Sequence, residues 1–243
     1  MSSSPWRDWP SSPDGLVELY PRAADPTLRV NFIASLDGAV TVDGLSAGLH
    51  GPGDKEIFDT LRMVCDALVV ASGTVRAENY QPLRLTEPAR AWRRARGLPE
   101  FPLLVIVSGS LDLDLGRPVF ADAPIRPIVV TRSSAPADRV AEVAAVAEVI
   151  AVGDDAVDLP AAVGALRERG ATQLLCEGGP HLLGALIAAD LVTELCLTVA
   201  PLLAGGGPGR IAAGTPAPPR RMSLRHALTV EDMLFLRYAR QNG

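Results

Sequence analysis

The chain has little of what marks a metal centre, a membrane span or a nucleic-acid surface. Its three cysteines, Cys65, Cys176 and Cys196, have no CxxC spacing, and its three histidines, His50, His181 and His226, stand in no HExxH or His-x-Glu neighbourhood. No metal site is therefore expected. Each cysteine sits in an apolar stretch, where a free cysteine acts as a small buried hydrophobe. Positive charge is not in excess: 23 basic against 28 acidic residues leave a formal charge of -5. Such a balance offers no general field to a nucleic-acid backbone or an anionic membrane. Every apolar run is broken by Gly, Pro or charge well short of the ~20 residues that a membrane span needs, and the first residues lack the apolar core of a signal peptide. A cytoplasmic location is expected. Familiar catalytic loops are missing too. No Gly precedes Lys-Ser or Lys-Thr, no Gly-x-Ser-x-Gly occurs, and Arg210 stands where the triple glycine from Gly205 would need its third dinucleotide-fingerprint glycine.

What is present is a globular α/β pattern, with 48% hydrophobic residues in 243. Residues 1–27 have no periodicity and read as an extended arm that packs through Trp6, Trp9, Leu16 and Tyr20. From residue 28 to 243 a single domain is expected. Arg29–Ala34 reads as a strand, Ser35–Gly38 as a turn, Ala39–Val42 as extended again, and Asp43–Gly53 as a loop long enough to cover a ligand. Ile57, Phe58, Leu61, Val64 and Cys65 recur with a helical period. The unbroken run Ala67–Ala71 reads as a buried parallel strand. Thr86–Gly97 is an Arg- and Ala-rich helix with a solvated basic face. Further strands are expected at 103–107, 128–130, 148–152 and 172–176, with helices at 137–147 and 159–169 between them. Helix 182–189 and strand 194–200 follow, then a flexible loop through Gly205, Gly206, Gly207, Pro208 and Gly209. Met222–Val230 and Met233–Arg240 form an antiparallel hairpin on the sheet edge. The fold class is α/β, a mostly parallel central sheet with an antiparallel C-terminal hairpin and helices on both faces.

The most informative stretch is Cys176-Glu177-Gly178-Gly179-Pro180-His181-Leu182-Leu183-Gly184, a strand end, a glycine hinge carrying a carboxylate, and a helix start. Two glycines allow close backbone approach, Pro180 suits a first helical turn, and such a start attracts phosphate. A plain strand-to-helix connection would use the same residues. A second glycine turn, Ser72-Gly73-Thr74-Val75-Arg76, follows the strand at 67–71. Two strand-glycine-helix junctions suit a ligand lying across strand ends.

Together, Asn31-Phe32-Ile33-Ala34-Ser35-Leu36-Asp37-Gly38, Ser72-Gly73-Thr74-Val75-Arg76-Ala77-Glu78 and Glu177-Gly178-Gly179-Pro180 followed by Leu191–Leu195 resemble the riboflavin-biosynthesis pyrimidine reductases. The resemblance spans roughly residues 28 to 240. It implies a dihydrofolate-reductase-like fold, a homodimer, and NADPH-dependent reduction of 5-amino-6-(5-phosphoribosylamino)uracil by hydride transfer to the ribose C1′, reached as an open-chain imine. Ala34 would line the nicotinamide; Gly73, Thr74, Val75 and Glu78 would hold the cofactor from the second turn. Gly178, Gly179, Pro180, His181, Leu182 and Leu183 would wrap its pyrophosphate. Ser108 matches the contact near the adenosine 2′-phosphate, with Arg132 as helper, although both also suit an ordinary strand-end turn. On the substrate side the matches are Ser46, Arg84 for the phosphate, and Glu177. Glu177 would bind the pyrimidine or aid proton transfer, or else cap the helix; Asp37 would act in the site or fix its own turn. Nothing here matches the zinc deaminase that accompanies the reductase in bifunctional members.

The chain departs from the family pattern at Leu49-His50-Gly51-Pro52, in place of an aromatic-Ile-Thr-Ser run, and an arginine expected in the next helix is replaced near Lys55 and Glu56. These departures leave open a reductase of dihydrofolate or another pterin or pyrimidine; an NADPH-binding protein without turnover stands as a third reading.

Overall fold

A computed structural model describes residues 4–78, 80–207 and 209–241. The first three residues of the expected arm and Pro208 of the glycine loop lie outside the described residues. The arm is not extended throughout. Ser12 accepts a hydrogen bond from the Gly15 N–H, Pro13 occupies the first turn and Asp14 adds a favourable charge there, so Pro13–Leu19 forms helix α1. Leu16 and Tyr20 are buried in the core and Trp9 packs on Phe235, ring centroids 5.6 Å apart, whereas Trp6 is 59% exposed.

Strand β1, Thr27–Ser35, leads to a tight turn rather than to a second strand at 39–42. Val42 and Leu45 exchange backbone hydrogen bonds of 3.0 and 3.1 Å around Asp43-Gly44, both with positive φ, and a 3-10 turn follows at Ser46–Leu49. Helix α2 is Asp54–Val64 and β2 is Ala67–Ala71. Ser72–Ala77, expected as a turn before a helix, is itself helix α3. Helix α4, Glu87–Arg94, is only partly the solvated face its composition predicts. Arg93 is fully buried, donating to the carbonyls of Met63, Cys65 and Pro99 at 2.8, 2.6 and 2.6 Å. The guanidinium satisfies carbonyls at the α2 end that have no intrahelical donor.

Strand β3, Leu103–Val107, is followed by the short helix α5, Pro118–Ala121, which the sequence pattern did not announce. Then come β4 (Ile128–Thr131), α6 (Ala137–Val146), β5 (Glu148–Ala151), α7 (Leu159–Glu168), β6 (Gln173–Cys176) and α8 (Pro180–Ala188). The chain closes with β7 (Glu194–Ala200), β8 (Met222–Val230) and β9 (Met233–Arg240). All lie in one nine-stranded sheet of order β5-β4-β3-β2-β6-β1-β7-β9-β8, parallel up to β7 and antiparallel over β7-β9-β8. One face packs under α1, α2, α3, α5 and α6, the other under α7 and α8.

The register of β6 creates the opening that matters. Cys176, its last residue, lies opposite Val30 on one side and Val69 on the other. Beyond that point β1 runs on to Ser35 with only β7 beside it. The sheet therefore opens beside β1, while Glu177 and Gly178 stay on β2: Glu177 N–H donates to the Val69 carbonyl at 3.2 Å and Ala71 N–H to the Gly178 carbonyl at 2.8 Å.

Candidate active site

The opening is a cleft of about 380 Å³ whose walls come from β1, α2, α3 and the turn after β6. Helix α2 contributes Asp54, Phe58 and Arg62, four residues apart, so they form one stripe facing the cleft while Ile57, Leu61 and Val64 face the core. Of the residues singled out from sequence, the structure brings Ser46, Thr74, Glu78, Glu177, Gly178, Gly179 and Pro180 together here.

At the centre, Arg62 Nε and Nη2 donate to the two Glu177 oxygens at 2.9 and 2.6 Å. Tyr80 Oη accepts from Arg62 Nη2 at 2.9 Å and donates to Glu177 Oε2 at 3.1 Å. The guanidinium also lies 3.8 Å from the Phe58 ring centroid. Side-chain exposure is 16% for Arg62 and 4% for Glu177, so this is a bidentate, largely desolvated pair. Burial alone would lower the Arg62 pKa, but the Glu177 carboxylate reverses that and drives it upward. Burial pushes the Tyr80 phenol well above its ordinary value, with Glu177 adding to the rise. Helix α2 thus brings an arginine into the cleft at Arg62, two turns beyond Lys55 and Glu56. Its four-residue spacing from Phe58 was the available signal; Tyr80, in a loop, offered none.

The glycine hinge is packed as well as flexible. A Cβ at Gly179 would stand 2.8 Å from Thr74 Oγ1, and one at Gly178, whose φ is +152°, 3.1 Å from the same atom. The α3 and β6 junctions thus close on each other, and Ser46 N–H donates to Glu78 Oε1 at 3.3 Å, tying the covering loop to α3. By contrast, Gly73 and Gly109 have open space where a Cβ would be. Ser108 Oγ and Thr131 Oγ1, at the carboxyl ends of β3 and β4, are buried with no hydrogen-bond partner.

Other candidates sit elsewhere. Asp37 does not line the cleft. It accepts from Ser35 Oγ and from the backbone N–H groups of Ala204 and Gly205 at 3.1 and 2.7 Å. The Ser35 hydroxyl first, then these amides, lower its pKa to about 2. Asp37 fixes its turn to the 204–205 loop, as a short carboxylate at a turn does. Arg84 also lies outside the cleft, on the exterior, with Nη2 2.8 Å from both the carbonyl and Oδ1 of Asp122. Arg132 donates to the carbonyls of Gly109 and Asp155 at 3.0 and 3.2 Å. Ala34, Val75, Leu182 and Leu183 are buried core residues, leaving only their backbones available, and His181 is exposed in a separate depression beside Gly214. Among the described residues no group of His, Cys, Asp and Glu is placed to hold a metal ion. No described helix is long and apolar enough to cross a membrane.

A parallel sheet opened at a glycine hinge, extended by an antiparallel hairpin, is the dihydrofolate-reductase-like fold. The dihydrofolate reductase of Enterococcus faecalis superposes with a TM-score of 0.53 over 90% of this chain and 98% of its own, at 11% identity. More narrowly, the RibD C-terminal domain model matches residues 26–236, and the chain belongs to that family. The 2,5-diamino-6-ribosylamino-4(3H)-pyrimidinone 5′-phosphate reductase of Archaeoglobus fulgidus is 32% identical over 182 residues, 74% of this chain and 83% of its own. The protein of the same name from Methanothermobacter thermautotrophicus is 28% identical over 220 residues, 88% and 97% of the two chains. A pyrimidine reductase-like protein of Corynebacterium diphtheriae has a TM-score of 0.82 at 27% identity, covering 90% of this chain and 93% of its own.

Proposed function

We propose that this chain is an NADPH-dependent reductase of a ribosylaminopyrimidine 5′-phosphate, residues 28–243 forming the reductase domain. The observation that carries the reading is the Arg62-Glu177-Tyr80 cluster, set in the sheet opening beside the glycine hinge. A buried guanidinium held from one side by a carboxylate keeps donors for a substrate phosphate or pyrimidine carbonyl. The residues fit a nicotinamide nucleotide: the α8 start and Gly178-Gly179 can take its diphosphate, Gly73 and Gly109 admit close approach, and the unpartnered hydroxyls of Ser108 and Thr131 await acceptors or donors at the far strand ends. When bound, that cofactor supplies a hydride. The protein's own part is positioning and exclusion of water: Thr74 and Glu78 fix one wall, the Ser46 loop covers the opening, and Arg62 with Glu177 orients the substrate. Asp37 and Arg84 are assigned to the structure rather than to the chemistry.

The relatives' names specify a diaminopyrimidinone, and the sequence resemblance an aminouracil. The two share the ribosylamine that is reduced. The test follows NADPH oxidation at 340 nm with the diaminopyrimidinone ribosylamine phosphate, the aminouracil ribosylamine phosphate and dihydrofolate offered separately. Turnover of either ribosylamine with a kcat/KM far above that for dihydrofolate is expected. Reduction of dihydrofolate alone would move the activity to pterins.

A homodimer accords with the uncovered side of the hairpin. Leu195, Leu197 and Val199 of β7 stand opposite Tyr238, Leu236 and Leu234 of β9, all only half-buried.

A further inference from the structure

The α2 stripe that carries Arg62 begins with a second charged residue that the pairing above does not use. Asp54 lines the same cleft, its side chain only 15% exposed. Its short bond is to a neutral group: Thr198 Oγ1 of β7, itself buried, donates to Asp54 Oδ1 at 3.0 Å. Thr198 stands in register with Ile33 of β1, which also lines the cleft. The imidazole of His50, half-exposed in the Leu49-His50-Gly51-Pro52 turn, lies beside the carboxyl with Nε2 4.0 Å from Asp54 Oδ2. Burial raises the Asp54 pKa and Glu56 adds to the rise, while the Thr198 bond and His50 oppose it. Glu177, the other deeply buried carboxylate of the cleft, has both oxygens engaged by Arg62 and Tyr80. A carboxyl kept from a strong cation inside a partly enclosed cleft is suited to hold and release a proton.

We propose that Asp54 is the proton donor of this cleft, delivering a proton to the nitrogen of an open-chain ribosylimine as hydride reaches its C1′. In that step the hydride electron pair forms the new C1′–H bond, the C1′=N π pair moves onto nitrogen, and nitrogen takes the Asp54 proton to give the secondary amine. The carboxylate left behind is reprotonated from solvent on the His50 side. Thr198 is a positioning residue: it orients the carboxyl and sets how readily the proton leaves. The assignment rests on the reductase reading above. An acidic residue in the first turn of a helix can also be purely structural, so the test must read protonation.

The experiment measures kcat/KM against pH, with NADPH and the ribosylaminopyrimidine phosphate, for the unaltered protein, Asp54→Asn and Thr198→Val. The unaltered enzyme should lose activity as pH rises through the Asp54 pKa. Asp54→Asn should lower kcat by about 10²- to 10⁴-fold, the usual contribution of general acid catalysis, and abolish that basic limb, with NADPH affinity and melting temperature nearly unchanged. Thr198→Val removes a bond that favours the carboxylate and should move the limb to higher pH. In the protein without ligands, carboxyl ¹³C NMR should show one aspartate resonance, missing in Asp54→Asn, that titrates above the ordinary aspartate range and moves up further in Thr198→Val. Turnover by Asp54→Asn with an unchanged pH profile, or an Asp54 resonance at an ordinary value, would overturn the proposal. No turnover by the unaltered protein would instead defeat the reductase reading, and the reaction assigned to Asp54 with it.

Discussion

Arg62 and Glu177 depend on each other, and removing either leaves a charge in a place built for a pair. Arg62→Ala should cost about 3 kcal/mol of stability, because the stranded Glu177 carboxylate is nearly inaccessible to water. Arg62→Lys keeps the charge but loses the two-pronged geometry, so the Michaelis constant for the pyrimidine should rise well beyond that for NADPH. Steady-state kinetics with each substrate varied in turn checks this; equal effects would return Arg62 to a purely structural role. A second residue-scale expectation concerns acid. His226 packs edge-on against Tyr20, centroids 4.8 Å apart, with its Nε2 buried and unpartnered. Burial first, then Arg237, lowers its pKa from 6.5 to about 4. The unfolded chain therefore binds this proton first as pH falls, and stability present above about pH 6.5 is progressively lost down to about pH 4. Integrated over that window the loss is about 3 kcal/mol. Chemical denaturation of His226→Phe over the same range should show a shallower slope than the unaltered protein; parallel slopes would refute it.

Between elements, the tightest approach near the site is that of α8 and the loop beyond β7. A Cβ at Gly184 would lie 1.9 Å from the carbonyl oxygen of Ala213, a backbone atom that cannot rotate aside. Ala213 N–H also donates to the Pro180 carbonyl at 3.0 Å, at the start of α8. Gly184→Ala should push this loop off the helix and destabilise by about 2 kcal/mol, the usual cost of overpacking. A melting curve superimposable on that of the unaltered protein would show that the loop yields freely. This contact pairs residues far apart in the chain, and Gly184 in sequence is merely a helix former of low propensity. Element identity was more legible. Runs such as Ala67–Ala71 and Glu194–Ala200 carry strand signals strong enough that their observed ends coincide with the expected ones. The arm departs from its aperiodic pattern because the Ser12-Pro13-Asp14 cap outweighs a seven-residue segment's weak periodicity.

At the scale of the molecule, Leu197, Leu234 and Leu236 on the β7-β9 part of the nine-stranded sheet remain half-exposed among the described residues. A second copy of the chain is the expected cover. Sedimentation should give twice the chain mass at micromolar concentration, and Leu236→Glu should return it to one; a monomeric unaltered protein would contradict this. Apolar alternation and glycine-proline punctuation are local properties, so strand and helix order, the parallel class of the sheet, and the glycine hinge with its carboxylate could be read along the chain. Which charges meet could not. Glu177 and Arg62 are 115 residues apart and Thr198 and Asp54 are 144 apart; the first pair meets where β6 ends at Cys176, the second where α2 crosses β7 beside β1. Arg84 and Asp37 carry charges as suitable on paper as those of Arg62 and Asp54, but the folded chain points one at Asp122 and ties the other to the 204–205 loop. Local sequence sets which elements form, because propensity and periodicity act within a few turns; strand register and helix rotation, set by packing the whole core at once, choose which side chains face the cleft.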